Sequence, residues 1–254
     1  MIGPIVLLTD FGGNDPFVGI MKGVILSVAP KAQIIDLCHG VPPQDVRTAA
    51  FHLRVSSTYF PKGTLFVVVV DPGVGTARKI LWARTARHQF LAPDNGVLSW
   101  VDEPLIELRE VSNHELYLSK VSSTFHGRDI FAPVAGRLAK GLSPAKLGPK
   151  SNPSWAIDFP AVEFEKGLVR GEIIGFDRFG NAVTNISRES ILDGARVFFA
   201  KGDLGAVSPT YAGRPSGSVM AILGSSGFLE LAVRDGNFRQ HFKANPGDKV
   251  ESRN

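Results

Sequence analysis

The chain has 254 residues, 44% of them apolar and 20% charged, with a formal net charge of +4. That length suits one large or two medium domains of an ordinary soluble globular protein. So small a charge, with no Lys/Arg run and no basic helix interleaved with aromatics, argues against nucleic acid as partner, and the single cysteine, Cys38, excludes an internal disulfide and a cysteine-based zinc site.

The N-terminal stretch from Met1 to Asp10 lacks a basic n-region, and its apolar run is too short for a signal peptide. No segment has the apolar length to span a bilayer, so a cytoplasmic enzyme with no membrane partner is expected. Ile5 to Leu8 reads as a first buried strand, ending in Thr9-Asp10-Phe11-Gly12-Gly13. Asn14-Asp15-Pro16 then opens a helix, with a capping side chain followed by proline in the first turn, and Phe17 to Val28 carries helical periodicity. Gln33 to Leu37 is a second strand, with Cys38 behind it as a small buried hydrophobe. Pro42-Pro43-Gln44-Asp45 opens a second helix running to about Tyr59.

Thr64 to Val70 is the clearest strand, an almost wholly apolar and β-branched run that ends in Asp71-Pro72-Gly73. A continuous apolar run bounded by turn residues suits a strand buried on both faces of a parallel sheet. Ligands of such sheets sit outside the carboxyl ends of the strands, so Asp71 and the nearby Arg78 fall where the chemistry is kept. Ile80 to Arg84 and Phe90 to Ala92 are further strands, the latter leading into the turn Pro93-Asp94-Asn95-Gly96. Thr124 to Asp129 precedes a helix over about Ile130 to Lys140, with Pro133 early enough to be tolerated.

Alternating strands and helices predict an N-terminal α/β domain with a mostly parallel sheet over residues 1–150. Gly148 to Ser154 is rich in chain breakers and begins a linker that covers 151–165. Residues 166–254 hold short, Gly-punctuated apolar runs without a convincing helix, which predicts a smaller all-β, barrel-like domain. These runs are Leu168 to Phe176, Ala182 to Ile186, Val197 to Ala200, Val219 to Leu223 and Leu229 to Val233.

Three strand ends carry the carboxylates Asp10, Asp71 and Asp94, and a later loop carries His126 and Arg128. Brought together, they would form a pocket with acids, a base and a guanidinium, in which an Arg-paired Asp stays ionised and a nearby His is a candidate base. Turn chemistry competes for Asp10 and Asp94, and for Asp94 in Asp-Asn-Gly it is the better explanation. In the β domain, Asp177-Arg178-Phe179-Gly180-Asn181 joins an acid, an aromatic ring and an amide. Phe179 could stack on a flat ring and Asn181 could pair with a purine edge, unless Phe-Gly-Asn is only a hairpin turn. Gly224-Ser225-Ser226-Gly227 has the composition of a backbone nest for a carboxylate, but lacks the following Lys of a nucleoside triphosphate loop.

Five segments in order, Thr9 to Gly12, Pro43 to Val46, Asp71 to Arg78, Phe125 to Asp129 and Asp177 to Asn181, together resemble the adenosine-forming S-adenosyl-L-methionine hydrolases. These are also called S-adenosylmethionine hydroxide adenosyltransferases and are relatives of the fluorinases and chlorinases. The resemblance implies a homotrimer, with the α/β domain of one subunit facing the β domain of its neighbour across each active site. It implies that Asp71, Arg78 and His126 act on a water, that Asp10 holds the ribose diol, and that Asp15 and Asp177 hold the methionine ammonium. It gives the adenine to Phe179 and Asn181, and completes the ligand shell with Ser225, Ser226 and the backbone near Val233. In the halide-using relatives the positions matching Asp71 and His126 carry Tyr, and in the fluorinase the position matching Gly127 carries a halide-contacting Ser. An anionic Asp at position 71 should instead repel a halide and favour water.

The reaction so implied is attack of water on C5′ of the ribose, in line with the C5′–S bond, without a cofactor and without a metal. Two rivals remain at this stage. One is a metal-dependent nucleoside-type hydrolase using a cation held among Asp10, Asp36, His39, Asp71, Asp94 and His126. The other is a non-catalytic binding protein for an adenosyl ligand.

Overall fold

The computed structural model describes residues 3–191 and 194–254. The chain divides into two compact units, residues 1–158 and 159–254.

The first unit is built on a six-stranded sheet of β1 (Ile5–Thr9), β2 (Ile34–Cys38), β3 (Leu65–Val69), β4 (Ile80–Arg84), β5 (Gln89–Pro93) and β6 (Glu107–Glu110). Its order is β2-β1-β3-β5-β4-β6. β2, β1, β3 and β5 run parallel, whereas β4 pairs antiparallel with both β5 and β6. The apolar run of β3 explains its central place. Leu65, Val67 and Val69 join one core cluster with Ile5, Leu7 and Trp82, while Phe66 and Val68 are equally buried on the opposite face. Full burial of each such side chain contributes about 1.5–3 kcal/mol.

The helices α1 (Phe17–Val28) and α3 (Ala132–Ala139) cover the first face. α1 buries Met21 and Ile25, four residues apart on one helical stripe. α3 lies so close to α1 that a Cβ at Gly136 would stand 2.8 Å from the Cβ of Val28 and 3.1 Å from the carbonyl oxygen of Ile25. Beyond β2, α2 (Val46–Ser56) starts at Asp45, whose Oδ1 accepts from the Thr48 amide at 2.9 Å. Phe60, after the short 3-10 turn that follows α2, packs on Phe66 at 5.3 Å between ring centroids.

Several local expectations need correction. The start of α1 has no capping side chain: Pro16 itself occupies the N-cap, and its carbonyl accepts from the Ile20 amide at 2.9 Å. With φ already fixed by the ring, proline meets the helical boundary without help from Asn14 or Asp15. The helix expected over Ile130 to Lys140 begins instead as a π turn, Gly127–Phe131, which hands over to α3 at Ala132.

The second unit holds β7 (Glu163–Glu165), β8 (Leu168–Phe176), β9 (Ala182–Ser187), β10 (Arg196–Phe199), β11 (Gly202–Ala206), β12 (Val219–Leu223), β13 (Phe228–Val233) and β14 (Lys249–Arg253). They form one antiparallel sheet in the order β11-β10-β14-β8-β9-β13-β12, with β7 added beside β8. β11 and β12, at the two ends, approach each other, so the sheet is a nearly closed barrel around Ile173, Ile186, Val197, Leu229 and Val250. One short helix, α4 (Phe238–Phe242), interrupts the β texture where none was expected. Its Phe238 is fully buried against Phe199 and Phe242. Among the described residues no helix is long and apolar enough to cross a membrane.

The contact between α1 and α3 leaves no room for a methyl group. Gly136→Ala should therefore cost about 1–3 kcal/mol by overpacking, seen as a lower chemical denaturation midpoint; an unchanged midpoint would contradict this packing.

Candidate functional site

Parallel pairing brings the carboxyl ends of β1 and β3 side by side. Thr9 is the register partner of Val69, so Asp10 and Asp71 leave the sheet one and two residues beyond a paired position. At the end of β5, Asn95 ties the neighbouring chain down by donating from Nδ2 to the Val70 carbonyl at 2.9 Å.

The tight turn after β3 folds Arg78 back onto Asp71. Arg78 Nε donates to Asp71 Oδ1 at 3.0 Å, and Nη2 donates to Oδ2 in a second, shorter bond. The Gly73 amide adds a 3.2 Å bond to Oδ1, and Arg78 Nη1 donates to the Lys79 carbonyl at 2.8 Å. The Asp71 side chain is only 4% exposed and that of Arg78 7%. Burial pushes the Asp71 carboxyl above the ordinary carboxylate range, against the pull of the Arg78 charge and hydrogen bonds, the Gly73 amide and the charge of His126.

His126 caps the π turn that opens the third helix. It is half-buried, and its Nδ1 has no protein hydrogen-bond partner. Burial lowers its pKa first, and Arg78 lowers it further; Asp71, Asp129 and the Ser122 backbone act in the opposite sense. Asp71, Arg78 and His126 are thus one electrostatic group. The loops that carry them also touch: Gly75, at φ +78°, lies where a Cβ would stand 2.1 Å from the Ser123 carbonyl oxygen. Only glycine satisfies both the backbone angle and that approach.

The other carboxylates of this unit have different fates. Asp10 accepts from the Gln44 amide at 2.8 Å. The loop that holds it is fixed by Thr9 Oγ1 to His39 Nδ1 at 2.9 Å and by the Gly12 amide to the His39 carbonyl at 2.7 Å. Asp15 is exposed in the turn before α1. Asp94 does not join the group: it is 3% exposed, and both its oxygens accept from the Ser154 amide at 3.0 Å. Asp36 pairs with Lys22 at 2.6 Å and His39 at 3.0 Å; burial works against its charge, but the two partners hold its pKa below the ordinary value. The six acid and imidazole side chains weighed as a cation site are therefore dispersed. Among the described residues there is no group of three or more His, Cys, Asp or Glu side chains that could hold a metal ion.

In the second unit the Asp177 to Asn181 segment is the turn between β8 and β9. Asp177 Oδ1 accepts from the amides of Phe179 and Asn181 at 2.9 and 2.8 Å, and Oδ2 accepts from Asn181 Nδ2 at 2.9 Å. The hairpin reading and the polar-cluster reading of this segment therefore describe the same object. The turn holds the Phe179 ring out, 74% exposed, while Asn181 is buried. Gly224 to Gly227 is likewise the turn between β12 and β13, with Ser225 exposed and the Ser226 hydroxyl buried without a partner. Val233 closes β13 and is 8% exposed.

Sequence reasoning missed several residues here. Glu230 is 9% exposed, accepts from the Tyr211 hydroxyl at 3.1 Å and feels the charge of Asp177; burial, helped by Asp177, raises its pKa. Phe11, Phe17 and Phe125 form an aromatic trio with centroids 5.0–5.9 Å apart, joining the Asp10 loop to the His126 loop. The Phe-rich flanks of both motifs were the available signal.

Comparison with known proteins identifies the family. Residues 5–148 match the N-terminal domain of SAM hydroxide adenosyltransferase and residues 171–251 match its C-terminal domain. The chain is 38% identical to an (R)-S-adenosyl-L-methionine hydrolase of Thermus thermophilus, over 93% of this chain and 94% of that protein. It is 35% identical to a protein of the same name from Salinispora arenicola, over 95% and 94%. A fluorinase of Nocardia brasiliensis is 27% identical over 97% and 95%. Among solved structures, an uncharacterized conserved protein from Thermotoga maritima superposes with a TM-score of 0.91 at 38% identity, covering 98% of this chain and all of that one. The order of motifs, the two-part fold and the full-length similarity agree, and the chain belongs to the SAM hydroxide adenosyltransferase family.

Proposed function

We propose that this protein hydrolyses S-adenosyl-L-methionine to adenosine and L-methionine, by attack of a water molecule on C5′ of the ribose. The observation that carries the proposal is the buried Asp71–Arg78 pair in electrostatic contact with His126. Relatives that share the full length of the chain bear the name of this activity.

The chemistry asks little of an acid. The sulfonium leaves as a neutral thioether and needs no proton, so the barrier lies with the nucleophile. Neutral water is weak and needs a base or a cation beside it. In our reading the imidazole of His126, kept neutral by burial and by Arg78, takes the proton as the C5′–O bond forms and the C5′–S bond breaks. Asp71 orients the water and fixes the guanidinium, which stabilises the developing hydroxide. Positioning of the water in line with the breaking bond supplies much of the rest.

The remaining roles follow the family pattern. Asp10 takes the ribose diol and Asp15 and Asp177 the ammonium of the methionine part. The exposed ring of Phe179 stacks on adenine and Asn181 reads its edge. Ser225, Ser226 and the backbone near Val233 close the shell. The reading includes a homotrimer with its sites between neighbouring subunits, a reaction independent of metal, and a cytoplasmic setting.

The test is direct incubation with S-adenosyl-L-methionine and quantification of both products, with and without EDTA. Adenosine and methionine in equal amounts, insensitive to the chelator, are expected; loss with EDTA favours a metal-dependent hydrolase, and ligand recovered unchanged favours a binding protein.

His126→Ala should lower kcat by about 10²–10⁴-fold, the usual cost of losing a proton-transfer group, with the Kd for substrate within threefold. Asp71→Asn should act in the same direction. Equal loss of binding and turnover would assign both residues to building the pocket instead.

The pH profile has a definite sign. The competent base is the neutral imidazole, and its pKa lies below the ordinary 6.5. kcat should be level through neutral pH and fall on the acid side, with a midpoint below 6.5 that disappears in His126→Ala. A midpoint above 6.5 would contradict the electrostatics described here.

A further inference from the structure

We propose that Asp129 is a positioning residue for this reaction: through Ser122 it fixes the loop that presents the His126 imidazole to the Asp71–Arg78 pair. The inference rests on the role given above to His126.

Asp129 lies inside the π turn Gly127–Phe131 and is 1% exposed. A carboxylate so deep is costly unless it is fully paired, and the pairing defines the loop. Oδ2 accepts from the Ser122 amide and from the Ser122 hydroxyl, both at 2.8 Å. The same hydroxyl oxygen accepts from the Phe125 amide at 3.1 Å. The Asp129 amide donates to the Phe125 carbonyl at 3.1 Å, and its carbonyl accepts from Leu118 at 2.9 Å. Arg128 closes the outer side, Nε to Oδ1 at 2.6 Å and Nη2 to Oδ2 at 3.1 Å. The Asp129 carboxylate thus holds Ser122 at the start of the loop, and the Ser122 hydroxyl and the Asp129 backbone amide hold Phe125, the residue before His126.

The other side of that loop meets the turn that carries Asp71 and Arg78, through Ser123 against Gly75. Charges from both reach the imidazole. The charged groups that face it are Asp71, Arg78 and Asp129, and the Ser122 backbone also acts on it. Asp129 and Asp71 favour the protonated ring and Arg78 opposes it. Asp129 therefore has two handles on His126, its place and its charge. The π turn has a matching explanation. π turns are uncommon and cluster at functional sites, and this one places Asp129 over Ser122 immediately after His126.

The experiment compares wild type, Asp129→Asn and Ser122→Ala in the full chain. It measures kcat and KM for S-adenosyl-L-methionine, the pH profile of kcat, thermal stability, and the His126 pKa by imidazole NMR titration, with the resonance assigned from His126→Ala. Asp129→Asn keeps the shape and removes the charge. It should lower kcat by about 10–100-fold, the scale expected of a misplaced catalytic group, with KM within threefold, and move both the NMR pKa and the acid limb of kcat to lower pH. Ser122→Ala keeps the carboxylate and cuts the link, so kcat should fall while the pKa moves less. If Asp129→Asn fails to fold, Ser122→Ala carries the test alone: a fall in kcat at constant KM supports positioning, and wild-type kcat overturns it. For folded Asp129→Asn, wild-type kcat and titration overturn the proposal, as does a loss of kcat that follows thermal stability alone while the titration is unmoved. If His126→Ala itself keeps full turnover, the role of His126 fails; the titration in Asp129→Asn still shows separately whether Asp129 acts on that ring.

Discussion

Everything at the proposed reaction centre depends on a carboxylate and a guanidinium that bury each other. Asp71 leaves the end of the most apolar strand of the sheet, where burial alone would favour the neutral acid. Arg78 returns to it after a turn of six residues, with Nε and Nη2 on the two oxygens. Such a pair adds little net stability relative to apolar residues, yet removing one partner costs about 3–5 kcal/mol because a charge is left unpaired in the interior. Its value is local. It sets both groups beside His126, where Arg78 lowers the pKa of that ring and Asp71 raises it.

The sheet makes this arrangement possible. Parallel pairing of β1 with β3 puts Asp10 and Asp71 at one edge, and helix packing then brings in the third segment. The aromatic trio of Phe11, Phe17 and Phe125 joins the loop after β1, the start of α1 and the residue before His126. In the β unit a similar economy holds. The two turns that carry Asp177, Phe179 and Asn181, and Ser225 and Ser226, are polar ends on strands whose interior faces are packed with apolar side chains.

The legible parts of the sequence were those with a single strong physical signal. The uninterrupted apolar run before Asp71 suited a strand buried on both faces, and β3 is that strand. The alternation of strands and helices in the first unit and the short β runs of the second were legible for the same reason. β6 was not, because Glu-Leu-Arg-Glu offers one buried residue between charges, and Glu107 meets Arg84 only once β4 is beside it. The π turn at Gly127 was hidden because the bond from Ser122 to Asp129 that accompanies it is a contact across a loop rather than a pattern along the chain. Asp94 resembled the other strand-end acids, and its anchoring by the Ser154 amide, sixty residues on, carries no local signature. Glu230 read as one polar position in an apolar strand, and its partner Tyr211 comes from a separate turn.

The central claim is that this chain uses water as the nucleophile at C5′. The most direct measurement is a single incubation with S-adenosyl-L-methionine in ¹⁸O-water, followed by mass analysis of both products. The account predicts one ¹⁸O atom in the 5′-hydroxyl of adenosine and none in methionine. Unlabelled adenosine, or label carried by the amino acid product, would contradict it.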